Sequence, residues 1–338
     1  MAKREETKGG LSGAPACAEE VSAPAVPARG VFITFEGGDG VGKSTQIRFL
    51  ARFLEEHGRT VLRLREPGGT AVGEALRRVV LDPAHGTMSD RAELLIYEAA
   101  RAQIVDEVIK PALSRGDIVL CDRFYDSTVA YQGAGRGLDG AFIEAANGFA
   151  CDGLAPDVTL LLAAPEATVR SRMERRGGAD RLEQAGEAFH RRVADGFAAV
   201  AAAEPARVRT VRSERQRVAT FRAVLAAVAP LLPEAAAALQ GDGAALEALV
   251  DQVMEEKHRE RCEQARKKRR ARSRSHRGGA ASGNAHPGDR SRPCADGAVA
   301  SRKDGDRRKD GSRKDGSRKG GSRKDGGPKD GKKGARRG

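Results

Sequence analysis

Residues 37–44 read Gly37-Gly38-Asp39-Gly40-Val41-Gly42-Lys43-Ser44 and match the spacing G-x-x-x-x-G-K-[ST]. Each position has a chemical reason. Glycines let the backbone wrap phosphate oxygens so that successive N–H groups point inward, at the positive end of a following helix. Lys43 is placed to neutralise the β- and γ-phosphates of a nucleotide, and the Ser44 hydroxyl to bind Mg2+. Thr45 continues the same cradle. A carboxylate at the end of another buried strand completes such a metal site, and Asp122 closes the apolar run of residues 118–121.

A phosphate cradle names a nucleotide, not a reaction. The sequence contains no N-K-x-D signature for guanine, which disfavours a GTPase. Instead, arginines and glycines are dense after the cradle: Arg65-Glu66-Pro67-Gly68-Gly69-Thr70, Arg101, Arg123, Gln132-Gly133-Ala134-Gly135-Arg136-Gly137, and Arg172 to Arg181. Bringing two anionic substrates together in line calls for guanidinium forks on both the acceptor and the transferred phosphate. The pattern points to a kinase acting on a nucleoside monophosphate.

These groups need a scaffold. Short apolar, β-branched runs at residues 31–35, 60–64, 117–121, 158–163 and 208–211 predict strands. Segments of helical period lie between them, including 44–57, 92–113 and 167–176. Buried strands alternating with helices predict an α/β fold, a three-layer P-loop NTPase arrangement with a central parallel β-sheet covered by helices on both faces. An Ala-rich helical stretch covers 218–240. Residues 244–272 begin apolar and become densely basic, so a helix there is expected to lose its packed face past Val253. The expected division is a disordered leader (1–29), the catalytic domain (30–240), a basic helix (241–277) and a disordered tail (278–338).

Taken in order, FEGGDGVGKST, REPGGT, YEAARAQ (97–103), DRFYDSTVAYQGAGRG and the Arg-rich stretch ending Asp180-Arg181-Leu182-Glu183 resemble the thymidylate kinase family over residues 31–215. The resemblance implies ATP-Mg2+ as donor and dTMP as acceptor. It gives Asp39 the deoxyribose and acceptor phosphate, and Arg65 and Arg123 the dTMP phosphate. Tyr97 would stack on thymine, where the family usually has Phe, and Arg101 would reach the thymine carbonyl edge. Ser127 and Gln132 match polar groups around the base, and Tyr131 a ring that crowds the sugar 2′ position. Gly37, Gly38, Gly40, Val41, Gly42, Lys43, Ser44 and Thr45 would hold ATP. Because the cradle carries Gly40 where some members have arginine, the catalytic arginine would come from the lid. Arg172 and Arg176 are the candidates, Arg176 the preferred one, with Arg181 beside the nucleotide. A homodimer is also implied. Two features depart from the family: Glu98, where small or apolar residues are usual, and residues 212–215, which lack the usual turn after the last strand.

Charge is unevenly placed. Residues 256–338 carry 29 basic and 11 acidic residues, a net +18, whereas the whole chain is +13, so residues 1–255 sum to −5. The basic character therefore belongs to the tail. Its repeats, Ser301-Arg302-Lys303-Asp304-Gly305 and its relatives, have almost nothing apolar to bury. A non-specific RNA or DNA contact through the tail would be salt-sensitive, and without aromatics it could not stack bases. Five cysteines make no C-x-x-C pair, and no apolar run approaches a membrane span, so a cytoplasmic protein with reduced thiols is expected. The rival readings are a kinase of other or broad monophosphate specificity and a nucleic-acid-binding protein working through its tail.

Overall fold

The structure is a computed structural model describing residues 29–176 and 180–278; the side chains of Arg176 and of residues 268–278 are outside the described set. The leader (to residue 28) and the tail from residue 279 also lie outside it, and with them the expectations of disorder and of nucleic-acid contact.

Five strands, β1 (Phe32–Glu36), β2 (Val61–Arg65), β3 (Ile118–Asp122), β4 (Val158–Ala163) and β5 (Val208–Arg212), form one parallel sheet in the order β2-β3-β1-β4-β5. The helices in chain order are α1 (Lys43–Glu56), α2 (Ala71–Leu81), α3 (Asp90–Ile104), α4 (Lys110–Ser114), α5 (Tyr125–Thr128) and α6 (Gly140–Cys151). They continue with α7 (Glu166–Arg176), α8 (Glu187–Ala203), α9 (Arg217–Val228), α10 (Pro233–Gln240) and α11 (Ala244–Gly278). The single helix expected over 92–113 is interrupted by π-spaced turns at Val105–Ile109, and a second π segment spans Val129–Gly135. Among the described residues no helix is long and apolar enough to cross a membrane.

Alternation along the buried strands builds both outer layers. Ile33 and Phe35 of β1 join Ile118 and Leu120 of β3 and Leu160 and Leu162 of β4 in a core shared with Phe49, Leu50 and Phe53 of α1 and Phe221 and Leu225 of α9. On the opposite face, Phe32, Val119 and Cys121 pack with Ile104 and Ile109. A third cluster joins Leu161 and Val208 to Phe189, Val193 and Phe197 of α8 and to Tyr131. The expected three-layer arrangement is thus present, with helices on both faces of the sheet.

The strand order also fixes the position of the site. From neighbouring β1 and β3 the chain departs to opposite faces, into α1 and into the α5–π segment respectively. Such a switch opens a crevice at the carboxyl ends of the two strands. The motifs carrying Gly37 and Arg123 start there.

A break was expected after residue 240. The first turns of α11 are nonetheless part of the central core, because Leu246, Leu249, Val250 and Val253 pack in the same cluster as α1 and α9. Among the described residues Val253 is the last buried apolar one of that helix.

Candidate active site

The loop after β1 turns only because of its glycines. Gly37 has φ 118°, and a Cβ on it would lie 2.3 Å from the Leu162 carbonyl oxygen. Gly42, also left-handed at φ 115°, caps α1, whose first residues Lys43, Ser44 and Thr45 line a cavity of about 730 Å3. Lys43 folds back over the loop and donates to the carbonyls of Gly37 and Gly38 at 2.8 and 2.9 Å. Burial first, and then the Arg123 charge, lower the pKa of its ammonium to about 8, against the opposing pull of Asp122, Asp39 and Glu36. The Ser44 hydroxyl donates to Asp122 Oδ2 at 2.6 Å, bringing together the two oxygen groups expected around Mg2+.

Arg123 stands at the centre of the crevice. As a non-glycine residue at φ 74°, it occupies a strained, left-handed backbone conformation directly after β3. Its N–H bonds to the Phe35 carbonyl, and its guanidinium reaches Gly37 O at 3.1 Å, Asp39 Oδ1 at 3.0 Å, Ser127 Oγ at 3.2 Å and the Tyr131 hydroxyl at 3.1 Å. Beneath it lies Glu36, fully buried at the end of β1. Glu36 accepts from the Phe124 N–H at 2.7 Å and from Ser127 Oγ at 2.6 Å. Burial, with Asp126 nearby, raises the Glu36 pKa to about 7, although Arg123 and the two hydrogen bonds oppose the rise. Motif reading overlooked Glu36 because it looks like a strand residue; the signal was a charge ending an otherwise apolar run.

The cavity is further lined by Arg65, Arg77, Tyr97, Ser127, Tyr131 and Gln132. Arg65 is exposed and ion-paired with Glu74 at 3.0 Å. Gln132 is held by Glu93, which also receives Arg136 at 2.9 Å and Arg181. Burial alone would raise the Glu93 pKa, but bonds from Arg136, Gln132 and Arg181 bring it below the usual carboxylate value.

Two expected site residues are placed elsewhere. Arg181 is committed to Glu93 and to the Val80 carbonyl at 2.9 Å and does not line the cavity. Arg101 is 1% exposed and also absent from the cavity wall. It spends its donors on Glu66 at 2.9 Å, Glu98 at 2.6 Å, Thr128 at 2.9 Å and Asn147 at 3.1 Å. This accounts for Glu98: it is a counter-ion to a buried guanidinium. Burial weakens the charged form of Arg101, but Glu66 and Glu98 more than restore it.

Arg172, one of the two lid candidates, donates to the carbonyls of Gly40 and Val41 at 2.9 and 3.1 Å, whereas the Arg176 side chain lies outside the described set. The cavity is also lined by groups sequence reading missed: Ser213, Glu214 and Arg217 after β5, and Met254, Lys257, His258 and Arg261 of α11.

Residues 35–223 match the model of the family described as thymidylate kinase. A thymidylate kinase of Methylococcus capsulatus is 47% identical over 203 residues, covering 60% of this chain and 97% of the relative. One from Geotalea uraniireducens is 46% identical over 211 residues, covering 61% of this chain and 99% of its own length. A solved structure of thymidylate kinase from Ehrlichia chaffeensis is 33% identical, with a TM-score of 0.49, and is covered over its full length by 60% of this chain.

Proposed function

The chain belongs to the thymidylate kinase family and phosphorylates dTMP, and from that premise we propose how its residues divide the work. One observation carries the assignment. A single cavity is lined by Lys43, Ser44 and Thr45 and also by Arg65, Tyr97 and Gln132, together with the paired Asp39 and Arg123. Donor and acceptor phosphates fit within it.

Gly37 through Thr45 hold the ATP phosphates, with Lys43 on the β- and γ-phosphates. Arg65 and Arg123 grip the dTMP phosphate, Tyr97 stacks on the base, and Gln132 and Ser127 lie around it. Asp39 and Tyr131, both near the Arg123 guanidinium, orient the sugar and acceptor. Holding the two phosphates in line supplies roughly 7–11 kcal/mol of the acceleration. Arg172, already against the loop, adds charge stabilisation as the phosphoryl group moves. The acceptor phosphate is ionised at neutral pH, so no general base is needed. Arg101 and Arg181 act as positioning residues, holding the walls that carry Tyr97 and Gln132.

The adjacent Ser44 hydroxyl and Asp122 carboxylate are hard oxygen donors, the type Mg2+ selects. When bound, the ion neutralises charge on the donor phosphates.

The reading extends to a homodimer. Leu95 of α3 is 57% exposed, and Phe142 and Phe149 of neighbouring α6 are 55% and 88% exposed, an apolar surface suited to a second copy. It also places the enzyme in the cytoplasm, in keeping with the free Cys121, Cys151 and Cys262.

An ADP-release assay across dTMP, dUMP, GMP, CMP and AMP tests the function. The highest kcat/KM is expected with dTMP; a higher value with another monophosphate would reassign the acceptor.

A further inference from the structure

Residues 244–278 form α11, beyond the stretch matched by the family model. The helix nonetheless runs along the element that carries the phosphate loop. Its ion pairs with α1 have opposite sense: Glu256 meets Arg52 at 3.6 Å, and Glu260, one turn on, meets Arg48 at 2.9 Å. The two helices are therefore antiparallel, and advancing along α11 leads back towards the N-terminus of α1.

The face of α11 that packs is apolar at Leu246, Leu249, Val250 and Val253, spaced as one helical stripe. The same stripe continues through Lys257 and Arg261. Where the apolar core ends, the face turns cationic, and there it meets the cavity, lined by Met254, Lys257, His258 and Arg261. Lys257 Nζ donates to Thr45 Oγ1 at 2.8 Å, in the first turn of α1.

The charges around Lys257 are mostly of its own sign. Its pKa is lowered, first by burial and then by Arg48, Arg261 and Arg217, with Glu260 opposing. That carboxylate is bonded to Arg48. On the cavity wall, Arg172 and Arg217 stand with Lys257 and Arg261, and Glu214 and Asp122 are among the carboxylates that also line it. A cation cluster around a half-buried ammonium favours an anionic ligand. Lys43 and Ser44 face the β- and γ-phosphate side of a P-loop. Thr45, the next residue, therefore places Lys257 towards the α-phosphate.

We propose that Lys257 and Arg261 bind the α-phosphate end of the donor nucleoside triphosphate, making α11 a working wall of the donor site. This rests on the phosphoryl-donor reading above. The helix adds to the wall that Ser213, Glu214 and Arg217 form after β5.

The test uses the full chain with Lys257→Met and Arg261→Met, which keep the stem and remove the charge, Lys257→Arg, and Lys267→Met as a control on the exposed side of α11. KM for ATP and for dTMP, and binding of a non-hydrolysable ATP analogue, are measured. Either charge removal is expected to raise KM for ATP and weaken the analogue about ten-fold. KM for dTMP should stay within about two-fold, Lys257→Arg should recover most of the loss, and Lys267→Met should behave as wild type. Unchanged ATP binding in both variants, equal weakening of both substrates, or tighter ATP binding would each overturn the proposal. Should Lys257→Met unfold the protein, Arg261→Met, on an exposed side chain, decides the matter. Analogue binding needs no acceptor, so a failure of dTMP as substrate and a failure of this proposal are separate results.

Discussion

Arg172 donates to the carbonyl oxygens of Gly40 and Val41, at 2.9 and 3.1 Å, across a separation of more than a hundred residues. The Arg172 guanidinium is thereby held on the glycine-rich loop proposed to cradle the transferred phosphate. Arg172→Ala should lower kcat by about 10³ or more, with KM for dTMP changed only a few-fold. Arg172→Lys should recover little, because a point charge does not reproduce the two-pronged fork. A larger loss with Arg176→Ala than with Arg172→Ala, in steady-state kinetics, would transfer the role.

Lys43 gives a pH dependence. Its ammonium is destabilised in the unliganded protein, so the charge needed on the phosphates is present below a pKa of about 8 and lost above it. The kcat/KM for ATP should therefore fall as pH rises through about 8. Bound phosphates restore the charged form, so kcat should stay flat over the same range. Lys43→Arg should abolish the decline in kcat/KM even though its activity is low, and Lys43→Ala should abolish ADP formation while the circular dichroism spectrum is retained.

Tyr97 is a half-buried aromatic on the cavity wall. Stacking on a base is worth roughly 1–3 kcal/mol, so Tyr97→Ala should raise KM for dTMP about 5- to 150-fold and leave KM for ATP nearly unchanged. Tyr97→Phe keeps the ring and should stay within about two-fold of wild type. Equal weakening of both substrates by Tyr97→Ala would make the ring a packing residue.

Much of this was legible in the chain. The buried strands announced themselves through apolar, β-branched runs, and the loop glycines through the positive φ values they must adopt. What could not be read were relationships set by tertiary contact. Arg101 and Arg181 sit in motifs that look like ligand contacts, yet their donors are consumed by Glu66, Glu98 and Glu93, which lie far from them in sequence or were unassigned. Glu36 was invisible because burial, not spacing, gives it its character. Lys257 and Arg261 were masked by the basic tail that follows: within a run of charge, only the antiparallel packing of α11 on α1 singles out two residues.

Arg101 supplies the last and sharpest distinction between holding a wall and touching a substrate. Its guanidinium is 1% exposed and neutralises two buried carboxylates, Glu66 and Glu98. Burial raises the Glu66 pKa to about 7, and Arg101 opposes that rise. Removing the arginine strands both acids, and breaking a buried pair in this way costs about 3–5 kcal/mol. Arg101→Ala should then lower Tm by roughly 6–20 °C for a domain of this size. Glu98→Ala leaves Glu66 in place and should cost only about 1.5–3 kcal/mol. Protonating Glu66 removes part of the requirement for Arg101. With a folded pKa above its ordinary value of 4.5, Glu66 destabilises the fold progressively as pH rises from about 4.5 through 7. Without its arginine the folded pKa rises further, so the stability deficit of Arg101→Ala should widen as pH is raised from 5 to 8. Thermal melts of the two variants across that range check both points. A large rise in KM for dTMP with Tm unchanged would instead place the Arg101 guanidinium on the base.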